Sequence, residues 1–200
     1  MNVHDAWLKL TVWAVVCLMA ARAAAQAPAS EIVIQTTVPE RFVIAFDELA
    51  VESTTGRVDA ALEQAAAALG HPAKARAGRA TLIVSASARS LEELEEARKA
   101  LARSRPESRV LLVLYEAGRP PSPSSRALLP SELALIMQPG VAPPAAARAP
   151  ALGLRKLGAP DTYGLSAPDP LAAVTLAETL RAAPGVRYAY PLVKRVLETR

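Results

Sequence analysis

Thr81-Leu82-Ile83-Val84-Ser85, then Ser90-Leu91-Glu92-Glu93-Leu94-Glu95-Glu96-Ala97-Arg98-Lys99-Ala100-Leu101-Ala102-Arg103, then Val110-Leu111-Leu112-Val113-Leu114-Tyr115 decide the fold. The first and last are short apolar runs of strand length, and the middle one repeats its apolar positions at helical spacing. Ser90 with Glu93 three residues on is a capping-box signature. Acidic residues crowd the start of this helix and Arg98, Lys99 and Arg103 its end, the order that complements the helix dipole. The four glutamates could suggest acid–base chemistry, but they read better as a solvated face with an i,i+4 pair of Glu95 and Lys99.

Working outward, Arg41-Phe42-Val43-Ile44-Ala45-Phe46 forms an earlier strand. Val58, Ala61, Leu62, Ala65 and Leu69 follow at helical spacing and stop at Gly70. Residues 39–118 therefore form a first unit, preceded by a flexible lead over 26–38. Residues 119–130, opening on Arg119-Pro120-Pro121-Ser122-Pro123-Ser124-Ser125 after Gly118, have the composition of a solvated linker. The order then repeats over 131–193, with a tail at 194–200. A strand at Glu132–Gln138 closes on Pro139-Gly140, and an alanine-rich helix runs from Ala145 to Gly153. A strand at Thr162–Ser166 comes next. Asp169 caps a second helix with Pro170 at its first position, and Val186–Tyr190 closes the unit.

Ala68-Leu69-Gly70 and Ala151-Leu152-Gly153 stand at similar distances before Leu91 and Leu171, which favours an internal repeat. Room for a short strand at Lys74–Gly78 and at Leu154–Gly158 completes a β-α-β-β-α-β order in each copy. The expected fold is thus α+β, two tandem ferredoxin-like units with antiparallel sheets. In the closing strand, alternation puts Val186, Tyr188 and Tyr190 toward the helices and Arg187 and Ala189 on the other face.

The amino-terminal stretch reads as an address. Leu8 to Ala21 is apolar apart from Lys9 and Thr11, shorter than the about 20 residues a membrane span needs, and small residues follow it. Residues 1–25 are read as a signal peptide with Ala23 and Ala25 at the cleavage site, giving a secreted or periplasmic chain. Such a cut removes Trp7, Trp13 and the lone Cys17, and a cysteine-free remainder suits an oxidising compartment.

The 200 residues are 52% hydrophobic but only 4% aromatic, and carry a net charge of +4. So few aromatics argue against a stacking surface for single-stranded nucleic acid, and so mild a charge against a dedicated nucleic-acid partner. One Cys and two His, His4 and His71, argue against a disulfide framework or a metal site. No cofactor, no metal ligands and no catalytic residues are expected. A Ser/His/Asp triad would have to use His71, which reads as an exposed turn residue before Pro72. Arg57, Arg76 and Arg79 are scattered along the chain with no phosphate-cradling glycine loop near them.

Residues 132–193 contain further landmarks. Glu132 to Gln138 ends in Pro139-Gly140, Ala151-Leu152-Gly153 follows, and Leu171 to Arg181 leads into Pro184-Gly185-Val186-Arg187-Tyr188-Ala189-Tyr190-Pro191. This pattern resembles the amino-terminal prodomain of subtilisin-like serine proteases, in particular its fervidolysin-like form. Tyr190 stands where that family usually has Glu, and Leu192 where it usually has Asn. The first unit shares only the layout. The resemblance implies a non-catalytic protein that binds a subtilisin-like protease as inhibitor or folding assistant, or forms the front end of one. Such prodomains dock their sheet on the protease and lay the following segment in the active-site cleft. The contact residues it implies here are Arg187, Ala189, Pro191, Leu192, Val193, Lys194, Arg195, Val196, Leu197, Glu198, Thr199 and Arg200. The protein is expected to be a monomer with no nucleic-acid partner and no membrane attachment after cleavage. The alternative is a secreted or periplasmic interaction module with an unrelated partner.

Overall fold

Runs of Val, Ile and Leu flanked by capping and turn residues set the elements of this chain, described here from a computed structural model for residues 31–36 and 38–195. In chain order these are β1 Glu31–Ile34, β2 Glu40–Ser53, α1 Ala60–Ala68, β3 Ala73–Ala77, β4 Thr81–Ser85, α2 Leu91–Ser104 and β5 Ser108–Glu116. A 3-10 turn at Pro123–Ser125 leads to β6 Arg126–Leu129 and β7 Glu132–Met137. Two more 3-10 turns, Ala145–Arg148 and Pro150–Leu152, precede β8 Arg155–Lys156, β9 Thr162–Ser166, α3 Pro170–Arg181, β10 Val186–Pro191 and β11 Lys194–Arg195.

The fold is α+β, with every strand pair antiparallel. One sheet runs β11-β6-β5-β2-β4-β3 with β1 also on β2, and the other runs β10-β7-β9-β8. The sequences β2–β5 and β7–β10 each place their strands in the order fourth, first, third, second. Both sheets belong to a compact unit that begins at Glu31.

Capping fixes where the helices begin. Asp59, Ser90 and Asp169 each accept a backbone N–H three residues on, from Leu62 (2.8 Å), Glu93 (3.2 Å) and Ala172 (2.7 Å). The Glu93 carboxylate reaches back to the Arg89 N–H at 2.7 Å, one residue earlier than a regular capping box predicts. On α2 the ion pairs are the mostly buried Glu95–Arg98 and the exposed Glu96–Lys99, both i,i+3, in place of the expected solvated Glu95–Lys99 pair.

Leu62 and Ala66 of α1 and Leu94 and Leu101 of α2 bury one face of the first sheet, against Leu49, Val51, Leu82, Val84, Leu112 and Leu114. The opposite face has its own buried cluster around Ala50, Ile83, Leu111, Val113 and Leu128. Apolar side chains on both faces explain why β4 and β5 read as continuous hydrophobic runs rather than alternating ones. In the second sheet Leu133, Leu135, Met137 and Leu165 pack against Ala173, Ala177 and Leu180 of α3. Leu171 and Val174 of the same helix touch the first core, so α3 serves both sheets.

Five sequence expectations are corrected. The flexible lead contains β1, which pairs with β2 and buries Ile34 to 2% exposure. The linker over 119–130 is solvated only in its proline-serine half. Arg126-Ala127-Leu128-Leu129 is a buried strand on β5, and Ser125 is itself buried, its hydroxyl bonded to the Pro120 carbonyl at 2.9 Å. The tail begins as a strand, β11, paired with β6. The alanine-rich helix at 145–153 is instead two 3-10 turns, because Pro150 lacks an N–H and its ring obstructs the preceding turn. The expected strand at 41–46 continues to Ser53, because β1 and β4 pair in succession along one edge of β2. At the changeover β2 bulges, and Ala45–Glu48 stand opposite Val113.

Candidate functional site

The closing strand β10 carries a β-bulge between Val186 and Tyr188, and the bulge decides which residues face outward. Val186 pairs with Met137 and Ala189 with Leu135, both in the second core, so Val186 and Ala189 lie on the helix side. Tyr188 pairs with Ile136 and Tyr190 with Ala134, on the other side. Strict alternation would have put Val186, Tyr188 and Tyr190 together and Ala189 outward. One extra residue in the strand reverses the faces beyond it. The Gly185 turn that sets up this bulge has φ +78°.

The face of the second sheet away from α3 is therefore Ala134 and Ile136 of β7, Thr162 and Gly164 of β9, and Tyr188 and Tyr190 of β10; of these, Ala134 and Gly164 are buried and Tyr190 packs against the first core. Its centre is nearly flat because Ala134 and Gly164, adjacent in the register, project almost nothing. The Arg155 side chain lies across Gly164, and a Cβ there would stand 3.0 Å from its Nε. Tyr188 is 36% exposed, and the Arg187 guanidinium sits 5.4 Å from its ring centre. Glu132 at one border is held by Arg109 at 3.2 Å and Arg155 at 3.6 Å. The accessible part of this face is its Tyr188 border, where an exposed aromatic ring beside Arg187 can bury apolar surface of another protein.

The segment after β10 crosses back to the first sheet. Pro191 is buried, the Leu192 N–H donates to the Glu132 carbonyl at 2.8 Å, and Val193 packs against the first core. Lys194 ion-pairs with Glu52 at 2.7 Å. Arg195 binds Glu40 at 2.7 Å, binds Glu116, and stacks over Phe42 at 5.9 Å. Its hydrogen bond to Arg195 is the main cause that holds the Glu116 carboxyl below the usual carboxylate range.

Of the expected contact residues, Arg187 is thus exposed, whereas Ala189 and Pro191 are buried within the chain. Leu192 and Val193 are half-buried, and Lys194 and Arg195 are engaged by the chain's own carboxylates. Contact by Ala189 is corrected, because its side chain points into the second core. Val196, Leu197, Glu198, Thr199 and Arg200 lie outside the described residues, as do Ala23 and Ala25 of the expected cleavage site.

A second constellation was not legible in the sequence. Glu48, in the β2 bulge and 6% exposed, accepts from the Tyr115 hydroxyl at 2.7 Å, meets Lys74 at 2.8 Å and has Arg126 at 3.6 Å. Burial is the main cause pushing the Tyr115 phenol up, helped by its bond to Glu48. The hydrogen bond to Glu48 is the main cause raising the Lys74 ammonium. Two cations and a phenol surround this carboxylate, so its charge is compensated although it is buried. The cluster neutralises a buried charge and pins the bulge. An apolar groove of about 570 Å³ beside it is lined by Val43, Ile44, Phe46, Tyr115 and Pro121 among others.

His71 is half-buried rather than exposed, its Nδ1 2.9 Å from the Ser85 carbonyl. Among the described residues no group of three or more His, Cys, Asp or Glu is placed to hold a metal ion. No described helix is long and apolar enough to cross a membrane. No protein-family model, curated protein or solved structure matches the chain.

Proposed function

We propose that this chain is an exported, non-catalytic, prodomain-like protein of two tandem ferredoxin-like units that binds a subtilisin-like serine protease as inhibitor or folding assistant. The observation that carries the reading is the outer face of the second sheet. Tyr188 and Arg187 are exposed at its border, and the Pro184–Pro191 motif that resembles the family's prodomain closes that same sheet. The shared strand order of β2–β5 and β7–β10 supports the tandem description. Docking uses this face, with Tyr188 and Arg187 as its anchors. Since Lys194 and Arg195 are fastened to the first sheet, the part entering a protease cleft starts at Val196.

Stoichiometric inhibition of subtilisin by the purified chain is the direct test. Tyr188→Asp should weaken inhibition by roughly 10- to 100-fold, the range for loss of an aromatic anchor. Deleting residues 196–200 should convert the inhibitor into a substrate. Digestion of the intact chain at every molar ratio would refute the proposal. The fastening of Lys194 and Arg195 favours a second reading, a secreted or periplasmic module whose outer sheet face takes an unrelated protein and whose end is structural. Under that reading the deletion leaves partner binding unchanged and no subtilisin is inhibited.

A further inference from the structure

Arg57, Arg76 and Arg79 stand apart in the sequence, yet the fold gathers them. The turn between β2 and α1 and the turn between β3 and β4 lie side by side, joined by backbone bonds from Ser53 N–H to the Ala80 carbonyl and from Val58 N–H to the Arg79 carbonyl, both 2.8 Å. Gly56 and Gly78, with φ +79° and +74°, let the two turns fold back tightly. Between them lies a depression of about 600 Å³ lined by Gly56, Arg57, Val58, Arg76, Gly78 and Arg79, with no acidic residue in its wall. A Cβ at either glycine would meet nothing within 4 Å, and both turns are exposed to solvent.

The charges are unbalanced. Arg76 is held by Glu63, through Nε at 3.2 Å and a terminal nitrogen at 2.7 Å. Asp59, two positions after Arg57, caps α1 and lies 4.0 Å from Arg105. Among the described residues Arg57 and Arg79 are in no ion pair. Guanidinium groups confined to one depression repel each other, and a small multivalent anion between them removes that repulsion while accepting their forked N–H groups. Planar forks on two braced turns suit tetrahedral oxygens better than a single carboxylate.

We propose that this depression is a phosphate-binding site, taking inorganic phosphate or the terminal phosphoryl group of a monoester through Arg57 and Arg79, with Arg76 positioned by Glu63. The site is remote in sequence from the outer face of the second sheet, and it stands or falls independently of protease binding. The test is calorimetric and amide-shift titration of the full chain at low ionic strength, with inorganic phosphate and with phenyl phosphate as probes. One saturable site is expected, with amide shifts centred on Gly56, Val58 and Gly78. Arg57→Gln and Arg79→Gln should each weaken it about 10-fold, on the scale of one charged hydrogen-bonding group lost. Arg119→Gln, outside the depression and paired with Glu116, should leave it unchanged. Equal affinity for both probes assigns free phosphate, and tighter binding of phenyl phosphate assigns a monoester. Non-saturable binding would overturn the proposal. So would equal weakening by Arg119→Gln, or no effect of Arg57→Gln and Arg79→Gln in variants whose unfolding midpoints match the parent.

Discussion

Gly185→Ala tests the turn on which the outer face depends. Gly185 has φ +78°, and a Cβ built there would lie 2.5 Å from Val141 Cγ1, 3.5 Å from Val141 Cβ and 3.7 Å from Met137 Cε. Two costs therefore add. The left-handed backbone costs about 1–2 kcal/mol for any residue with a Cβ. Displacing a β-branched Val141 side chain costs about 1–3 kcal/mol more, the usual range for overpacking. The sum, about 2–5 kcal/mol, is a large share of the about 5–15 kcal/mol stability of a typical domain. Gly78→Ala separates the two, because Gly78 has nearly the same φ, +74°, and nothing within 4 Å of its built Cβ. It should cost about 1–2 kcal/mol, the backbone part alone. Val141→Ala, at a residue 38% exposed, removes the clashing methyl and leaves only ordinary contacts, so in the double variant the steric part should vanish. Urea unfolding of the four variants, followed by circular dichroism, gives the required cycle. Gly185→Ala costing no more than Gly78→Ala, or no recovery on adding Val141→Ala, would refute the steric argument.

Other consequences follow from the same packing. Glu48→Ala strips the shared partner from Tyr115, Lys74 and buried Arg126 and should cost about 3–5 kcal/mol in urea unfolding, as for other broken buried pairs. Replacing Glu48 and Arg126 together by Met should cost less than Glu48→Ala, because no charge is left buried alone. Tyr115 adds a pH dependence. Its phenol is raised above 10.0 in the folded chain, so its contribution is fully present below pH 10.0 and is lost as pH rises through the folded value. Unfolding midpoints should therefore fall on the alkaline side of pH 10.0, and less steeply in Tyr115→Phe. Arg195→Ala should shift global stability by about 1 kcal/mol or less, since its ion pairs are half-exposed, yet hydrogen exchange should accelerate at the β11 amides. Leu135→Ala, at a fully buried site in the second core, should cost about 2–5 kcal/mol.

The amino-acid sequence alone determined the local grammar of this protein. Apolar runs at Thr81–Ser85 and Val110–Tyr115 became strands, and Ser90 and Asp169 became caps. These features are legible because propensity, capping and glycine conformation act over a few residues. Elements without a strong local signal were decided by pairing. Arg126–Leu129 is a strand because β5 offers it an edge, and Glu31–Ile34 because β4 pairs only with Glu48–Glu52 and leaves the earlier part of that β2 edge open. The outward faces also waited for the tertiary structure. A single bulged residue at Arg187 turns Tyr188 out and Ala189 in, which no alternation count foresees. Glu48, Lys74, Tyr115 and Arg126 meet, as do Arg57, Arg76 and Arg79, only because antiparallel pairing brings distant residues of the chain side by side. A charge that looks solvated on its own segment becomes half of a cluster once another strand is laid against it, and that information resides in the contact between segments.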